Sequence, residues 1–233
     1  MCHPLQSAPH TRKRGLLLCY ITDRKQFSGN EAERQRRLLA KIAECAAARV
    51  DYIQLREKDL TIRELGLLAS SALAALPKGS PTRLLINGRT DVALACGAHG
   101  VHLPAGDLPA SEVRVLWMKA CSSPPVIGVS AHSIGEIALA ESHGADFAVF
   151  GPVFEKLGTG NPTGLEHLKL ACNRPHQAAP PMPVLALGGV TLENAAECIA
   201  AGAAGIAAIR LFQENAADAV ARRLRQAALQ TSG

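Results

Sequence analysis

The residues able to do chemistry in this chain fall in short polar segments that follow short apolar runs. Gln54, Arg56 and Lys58 stand in QLREKD, Asn87 and Arg89 in NGRTD, His102 and Asp107 in GVHLPAGD, and Ser130 and His132 in GVSAHS. Glu155, Lys156 and Thr159 lie in GPVFEKLGTGNPTG, Gly188 and Gly189 in LALGGV, and Ile209 and Arg210 in GIAAIR. The set is rich in cations and amide donors and contains no obvious catalytic dyad. Arginine grips phosphate oxygens through a planar fork and lysine acts as a point charge, so Arg56 and Lys58 read as an anion site. Taken alone, such a pair is more often a solvated loop. Gly188 and Gly189 would let backbone N–H groups approach an anion closely, or would only serve a turn that needs positive φ.

Such segments need a scaffold that gathers many strand ends at one place. Apolar runs at 16–21, 51–55, 83–86, 100–103, 126–129, 146–150, 184–187 and 205–209 read as strands. Helical patterns alternate with them, among them 31–49, 90–96, 109–120 and 214–229. Thr61 and Glu64 form a capping-box pattern for the second helix. Thr191 is placed to cap the seventh helix and Gly202 to end it. Units of about 30 residues repeated eight times predict a single (β/α)8 TIM barrel, whose site lies at the carboxyl ends of the strands. In that fold the loops after strands 7 and 8 often hold a phosphate, which gives the Gly188–Gly189 turn and the Ile209–Arg210 turn a shared role. The expected organisation is a loose tail at 1–13 followed by one barrel at 14–233. The proline-rich NRPHQAAPPMP is an approach to strand 7 rather than a domain linker.

Composition bounds the partners. At 233 residues there is room for one barrel and no second domain. The hydrophobic fraction of 48% supports a large core, and the aromatic fraction of 3% argues against a stacking surface for nucleic acid. The net charge of +5 draws partly on Arg12, Lys13 and Arg14 and on Arg222, Arg223 and Arg225, and favours small phosphorylated molecules over nucleic acid. Seven scattered cysteines without a CxxC pair suit reduced thiols in a cytoplasm. No apolar run reaches the ~20 residues of a membrane span. A homo-oligomer is left open.

QLREKD, NGRTD, GVHLPAGD, GVSAHS, DFAVFGPVFE, LALGGV and GIAAIR, in this order, resemble the loops of the thiamine-phosphate synthase and thiazole tautomerase family. The resemblance runs from about Leu16 to Phe212 and implies the same barrel. It implies a synthase in which a pyrimidine diphosphate loses diphosphate with help from Mg2+ and a thiazole phosphate attacks through its ring nitrogen. Arg56, Lys58 and Ser130 would be the catalytic residues, with Gln54 and Asn87 holding the pyrimidine diphosphate beside them. Asp107 would bind Mg2+. The thiazole phosphate would rest on Gly188, Gly189 and the backbone at Ile209 and Arg210, with His102, His132, Lys156 and Thr159 as further binding groups. Diphosphate departure calls for cations and metal rather than a general base.

Three positions depart from the synthase pattern. Gly88 follows Asn87 where the synthase carries a metal-binding Asp, leaving one carboxylate. Lys156-Leu157-Gly158-Thr159 replaces the TxTK motif of the sixth loop. The histidine that serves the tautomerase directly after the glycine of that loop is here Pro152, and His102 and His132 are expected to bind or to support rather than replace it. The competing readings are a thiazole tautomerase, independent of Mg2+, and a non-catalytic phosphate-binding barrel. An unrelated sugar-phosphate barrel would leave the loop matches unexplained.

Overall fold

A computed structural model describes residues 15–154, 162–175 and 180–231. Eight parallel strands close into a barrel in sequence order: β1 (Leu17–Ile21), β2 (Tyr52–Leu55), β3 (Arg83–Asn87), β4 (Gly100–Leu103), β5 (Val126–Ala131), β6 (Phe147–Phe150), β7 (Val184–Leu187) and β8 (Gly205–Ala208). The ring is completed by pairing of β8 with β1, where Leu17 sits against Gly205 and Tyr20 against Ala208. Among the described residues the helices are α1 (Glu31–Ala47), α2 (Ile62–Ala75), α3 (Thr90–Cys96), α4 (Ala110–Ala120), α5 (Ile134–Ser142), α6 (Gly164–Cys172), α7 (Ala195–Ala200), α8 (Arg210–Gln213) and α9 (Ala217–Thr231).

Alternation along each strand divides the core in two. Outward residues such as Leu18, Tyr20, Ile53, Leu84 and Ile206 pack under the helices. Inward residues Leu17, Cys19, Ile21, Leu85, Phe147, Val149, Leu185 and Ala207 fill the barrel. Tyr52 stacks on Phe147 with ring centroids 4.5 Å apart, plugging the interior with two of the chain's few rings. Gly128 makes room for this: a Cβ there would stand 2.4 Å from Phe147 Cζ and 2.8 Å from His102 Nδ1. Cys45 and Cys198 are buried thiols that burial pushes up to about 12, so they fill space and are not nucleophiles.

The helix boundaries follow local chemistry. The box of Thr61 and Glu64 forms as expected, and Asn30 with Glu33 makes a second one before α1. Gly97 ends α3 in the left-handed conformation. Two expectations need correction. Thr191 does not occupy the capping position of α7, which belongs to Asn194; Thr191 opens the turn before it, its Oγ accepting from the N–H groups of Glu193 and Asn194. The helix expected at 214–229 is α9, and it is preceded by the short α8 because the chain bends out of β8 at Ile209, whose carbonyl accepts from the N–H groups of Phe212 and Gln213. None of the described helices is long and apolar enough to cross a membrane.

Candidate active site

The loop after β2 is held by a clasp from the loop after β1. Thr22 Oγ donates to Glu57 Oε1 at 2.7 Å and accepts from the Arg56 N–H at 2.9 Å. Arg24, 3% exposed, sends Nη1 to Glu57 Oε2 at 3.0 Å and to Asp59 Oδ1 at 2.7 Å. Its Nη2 reaches Asp59 Oδ2 at 2.8 Å, and its Nε reaches Glu31 Oε1 at 2.6 Å. The guanidinium holds the Asp59 carboxyl well below the usual range. Burial pushes the Glu57 carboxyl up in spite of the bonds from Thr22 and Arg24. Within REKD the acids are thus bound to Arg24, while half-buried Arg56 and exposed Lys58 make no side-chain hydrogen bond or ion pair with any described residue. Thr22, Arg24 and Glu57 were not singled out from the sequence as site residues. The signal that points to them is the strict alternation of cation and acid in the loop.

A polar layer tops the barrel interior across β2 to β5. Gln54 Nε2 donates to Asn87 Oδ1 at 2.8 Å, which leaves the Asn87 amide N–H groups without an acceptor among the described residues. Gln54 Oε1 is buried without a partner. His102 Nε2 lies 2.9 Å from Ser130 Oγ, and His102 Nδ1 is buried without a partner. Burial, with Arg56 adding positive charge, drives the His102 pKa down to about 3, so the ring is neutral near pH 7. Of its two tautomers, the one with Nε2 protonated leaves Nδ1 as an orphan acceptor, and the other leaves a buried orphan N–H. An unsatisfied acceptor is the milder defect. His102 therefore donates to Ser130 Oγ and frees the Ser130 hydroxyl proton for a ligand. At 1% exposure His102 reaches a ligand through Ser130 rather than directly.

The remaining groups sit on the rim. His132 is exposed; its Nδ1 lies 2.6 Å from the Gly151 carbonyl, to which it donates, and its backbone N–H bonds Glu136 Oε2. Asp107 is exposed, with Oδ1 accepting from the Leu108 N–H at 2.8 Å. Gly88 has φ of 62°, and a Cβ there would lie 4.0 Å from Asp107 Oδ2 and 3.4 Å from Pro104 Cγ. Arg89 is paired with Asp91. Gly188 and Gly189 both have positive φ, 95° and 65°. The Gly188 position also requires glycine sterically, since a Cβ would stand 2.6 Å from Pro152 Cα. Asn194 Nδ2 donates to the Gly189 carbonyl, and the N–H groups of Gly188, Gly189, Ile209 and Arg210 have no acceptor among the described residues. The Arg210 side chain is exposed. Glu155, Lys156 and Thr159 lie outside the described residues.

The mouth therefore offers unpaired cations at β2, amide and hydroxyl donors over β3 to β5, a carboxylate after β4, and backbone donors at β7 and β8. Among the described residues, His102 is neutral and enclosed, and His132 donates its Nδ1–H to the Gly151 carbonyl, which leaves Nε2 as an acceptor on the exposed rim.

Comparison with known proteins identifies the family. The sequence model of the thiamine monophosphate synthase family matches residues 18–212. A relative from Geobacter sulfurreducens, to which thiamine-phosphate synthase activity is provisionally ascribed, is 44% identical over 195 residues, covering 82% of this chain and 84% of the relative. The thiamine-phosphate synthase of Methanoculleus marisnigri is 39% identical over 193 residues, covering 80% of this chain and 85% of that one. The solved structure of a thiamine phosphate pyrophosphorylase from Pyrococcus furiosus superposes with a TM-score of 0.75 at 26% identity, covering 94% of this chain and 98% of that chain. The chain belongs to the thiamine monophosphate synthase family.

Proposed function

We propose that this protein is a thiamine-phosphate synthase, a transferase that joins hydroxymethylpyrimidine diphosphate to a thiazole phosphate and releases diphosphate. The observation that carries the reading is the pairing of two separate anion-holding devices, unpaired Arg56 and Lys58 on one side and the free N–H groups at Gly188, Gly189, Ile209 and Arg210 on the other. Two anionic substrates need two such places. A reaction whose difficulty is the departure of a charged group needs charge stabilisation and no base.

In this reaction the bond between the pyrimidine methylene carbon and the diphosphate oxygen breaks, and the electron pair leaves with the diphosphate. The thiazole nitrogen lone pair then forms the new C–N bond. Arg56 and Lys58 take up charge on the departing oxygens, Arg56 through a fork held in place by its backbone bond to Thr22. The Gln54–Asn87 pair presents amide groups to the pyrimidine, and Ser130, oriented by neutral His102, donates its hydroxyl proton. The phosphate of the thiazole lies on the β7 and β8 backbone donors, which fixes the ring nitrogen relative to the carbon it attacks.

Mg2+ fits the groups present. One exposed carboxylate at Asp107 suits an ion that keeps several waters and takes its other ligands from substrate phosphates. Bound there, it would neutralise charge on the diphosphate. Purified protein given both precursors and Mg2+ is expected to form thiamine phosphate, to lose nearly all activity in Asp107→Ala, and to need less Mg2+ in Gly88→Asp. Absence of thiamine phosphate at every Mg2+ concentration would sink the synthase reading.

A further inference from the structure

The outer face of α4 is covered by nothing among the described residues. Val113 and Trp117 of this helix face the core, and Arg114 is used on the Pro125 and Gly144 carbonyls and on Asp146. On the opposite side Glu112, Val115, Leu116 and Lys119 are all exposed and fall on one stripe at helical spacing. Val115 is 57% and Leu116 50% exposed, and Leu108, at 52%, extends the apolar line beyond the helix start. Glu112 and Lys119 form no ion pair with any described residue. Recesses flank the ridge. One of about 550 Å3 is lined by Val115, Met118, Lys119 and the His143–Gly144 end of α5, and one of about 350 Å3 by Ser111, Glu112, Val115 and Leu116.

The order along the stripe is acid, apolar, apolar, base. When two copies of the helix lie antiparallel about a two-fold axis midway between positions 115 and 116, Val115 faces Leu116 of the other copy at both central positions. By the same symmetry Glu112 faces Lys119 at both ends. The apolar ridge of each copy then enters a recess beside the ridge of the other, which is how helices pack. A stripe complementary to its own reverse fits a second copy in both charge and apolar order. We infer that the α4 face is the isologous contact of a homodimer of this chain.

The contact is small, since an 11-residue helix is about 16 Å long, so association in the micromolar range is expected. Sedimentation equilibrium over a range of protein concentrations is the test, with circular dichroism to confirm that each variant is folded. Leu116→Glu is expected to leave a monomer. Glu112→Lys and Lys119→Glu each put like charges face to face twice and are expected to weaken association by about tenfold. The double variant Glu112→Lys/Lys119→Glu restores both pairs with their signs exchanged and is expected to recover the dimer. A wild-type protein that stays monomeric at high concentration overturns the inference, whether residues 1–13 or another protein covers the face. A dimer indifferent to all four variants overturns it as well.

Discussion

Arg24→Met tests whether the anion site depends on a residue that lies beneath it. The substitution keeps most of the side-chain volume and removes a guanidinium bonded to Glu57, Asp59 and Glu31. The Asp59 and Glu31 side chains are 37% and 49% exposed and recover water, so their loss is small. Glu57 is different: its side chain is 2% exposed and keeps only the Thr22 hydroxyl and the backbone N–H of residue 24. Breaking a buried pair by removing one partner costs about 3–5 kcal/mol. Because burial already pushes the Glu57 pKa up, loss of the cation raises it further, and protonation of Glu57 limits the cost. The deficit is therefore expected to be largest at high pH, where Glu57 must stay charged, and to shrink as pH falls. Urea unfolding of wild type, Arg24→Met, Glu57→Gln and the double variant at pH 8 and pH 5 measures this as a double-mutant cycle. The double variant should recover most of the stability lost in Arg24→Met. Diphosphate affinity of Arg24→Met should also fall, because Arg56 and Lys58 lose their fixed loop. A deficit below about 1 kcal/mol at both pH values would refute the clasp, since that is the size of an exposed pair.

Three further outcomes are expected. Arg56→Ala should weaken diphosphate binding about tenfold or more, the worth of a charge-assisted contact, and leave thiazole phosphate binding unchanged; calorimetry showing equal loss of both ligands would mean one shared site. Gly189→Ala must adopt φ near 65°, at a cost of about 1–2 kcal/mol, whereas Gly188→Ala also drives a Cβ to 2.6 Å from Pro152 Cα and should destabilise more in thermal or urea unfolding. Both should weaken the phosphate ligand, and unchanged affinity would remove the β7 and β8 cradle from the argument. His102 titrates near 6.5 unfolded and at about 3 folded, so between these values the unfolded chain binds one proton more. Its stabilising contribution is present above pH 6.5 and is lost as pH falls toward 3, by at most about 1.4 kcal/mol per pH unit. His102→Asn should flatten that part of the stability profile, and an unchanged slope would contradict a buried neutral ring.

The barrel was legible because each strand is a short apolar run ended by a polar turn, and because eight such units repeat. Where boundaries moved, local hydrogen bonds decided them. Asn194 rather than Thr191 takes the capping position, and Ile209 turns out of β8 early to begin α8. The rim residues were legible because a parallel barrel puts every strand end on one face. What the sequence hid is contact between distant segments: Arg24 and Glu57 lie 33 residues apart, and His102 and Ser130 lie 28 apart. Nothing local marks His102 as the partner of Ser130. Only the inward direction of both side chains, with Gly128 clearing space between the strands, brings them together.

Charge is distributed in the mouth by a simple alternation. After β2 the chain turns at 58–59, closed by the Leu60 N–H on the Glu57 carbonyl, and in REKD the acids at 57 and 59 meet Arg24 while the cations at 56 and 58 have no side-chain partner among the described residues. Had the acids turned the same way, Arg56 and Lys58 would be neutralised before any ligand arrived, and binding a diphosphate would first require breaking two ion pairs. The buried guanidinium thus acts on the site by removing its competitors. The same logic accounts for a neutral His102. A second fixed cation beside Arg56 would be costly in an enclosed place, and the neutral ring lets Ser130 donate without adding charge. The two unpaired cations, a hydroxyl donor and the free backbone N–H groups together suit a reaction in which negative charge must be held while it leaves.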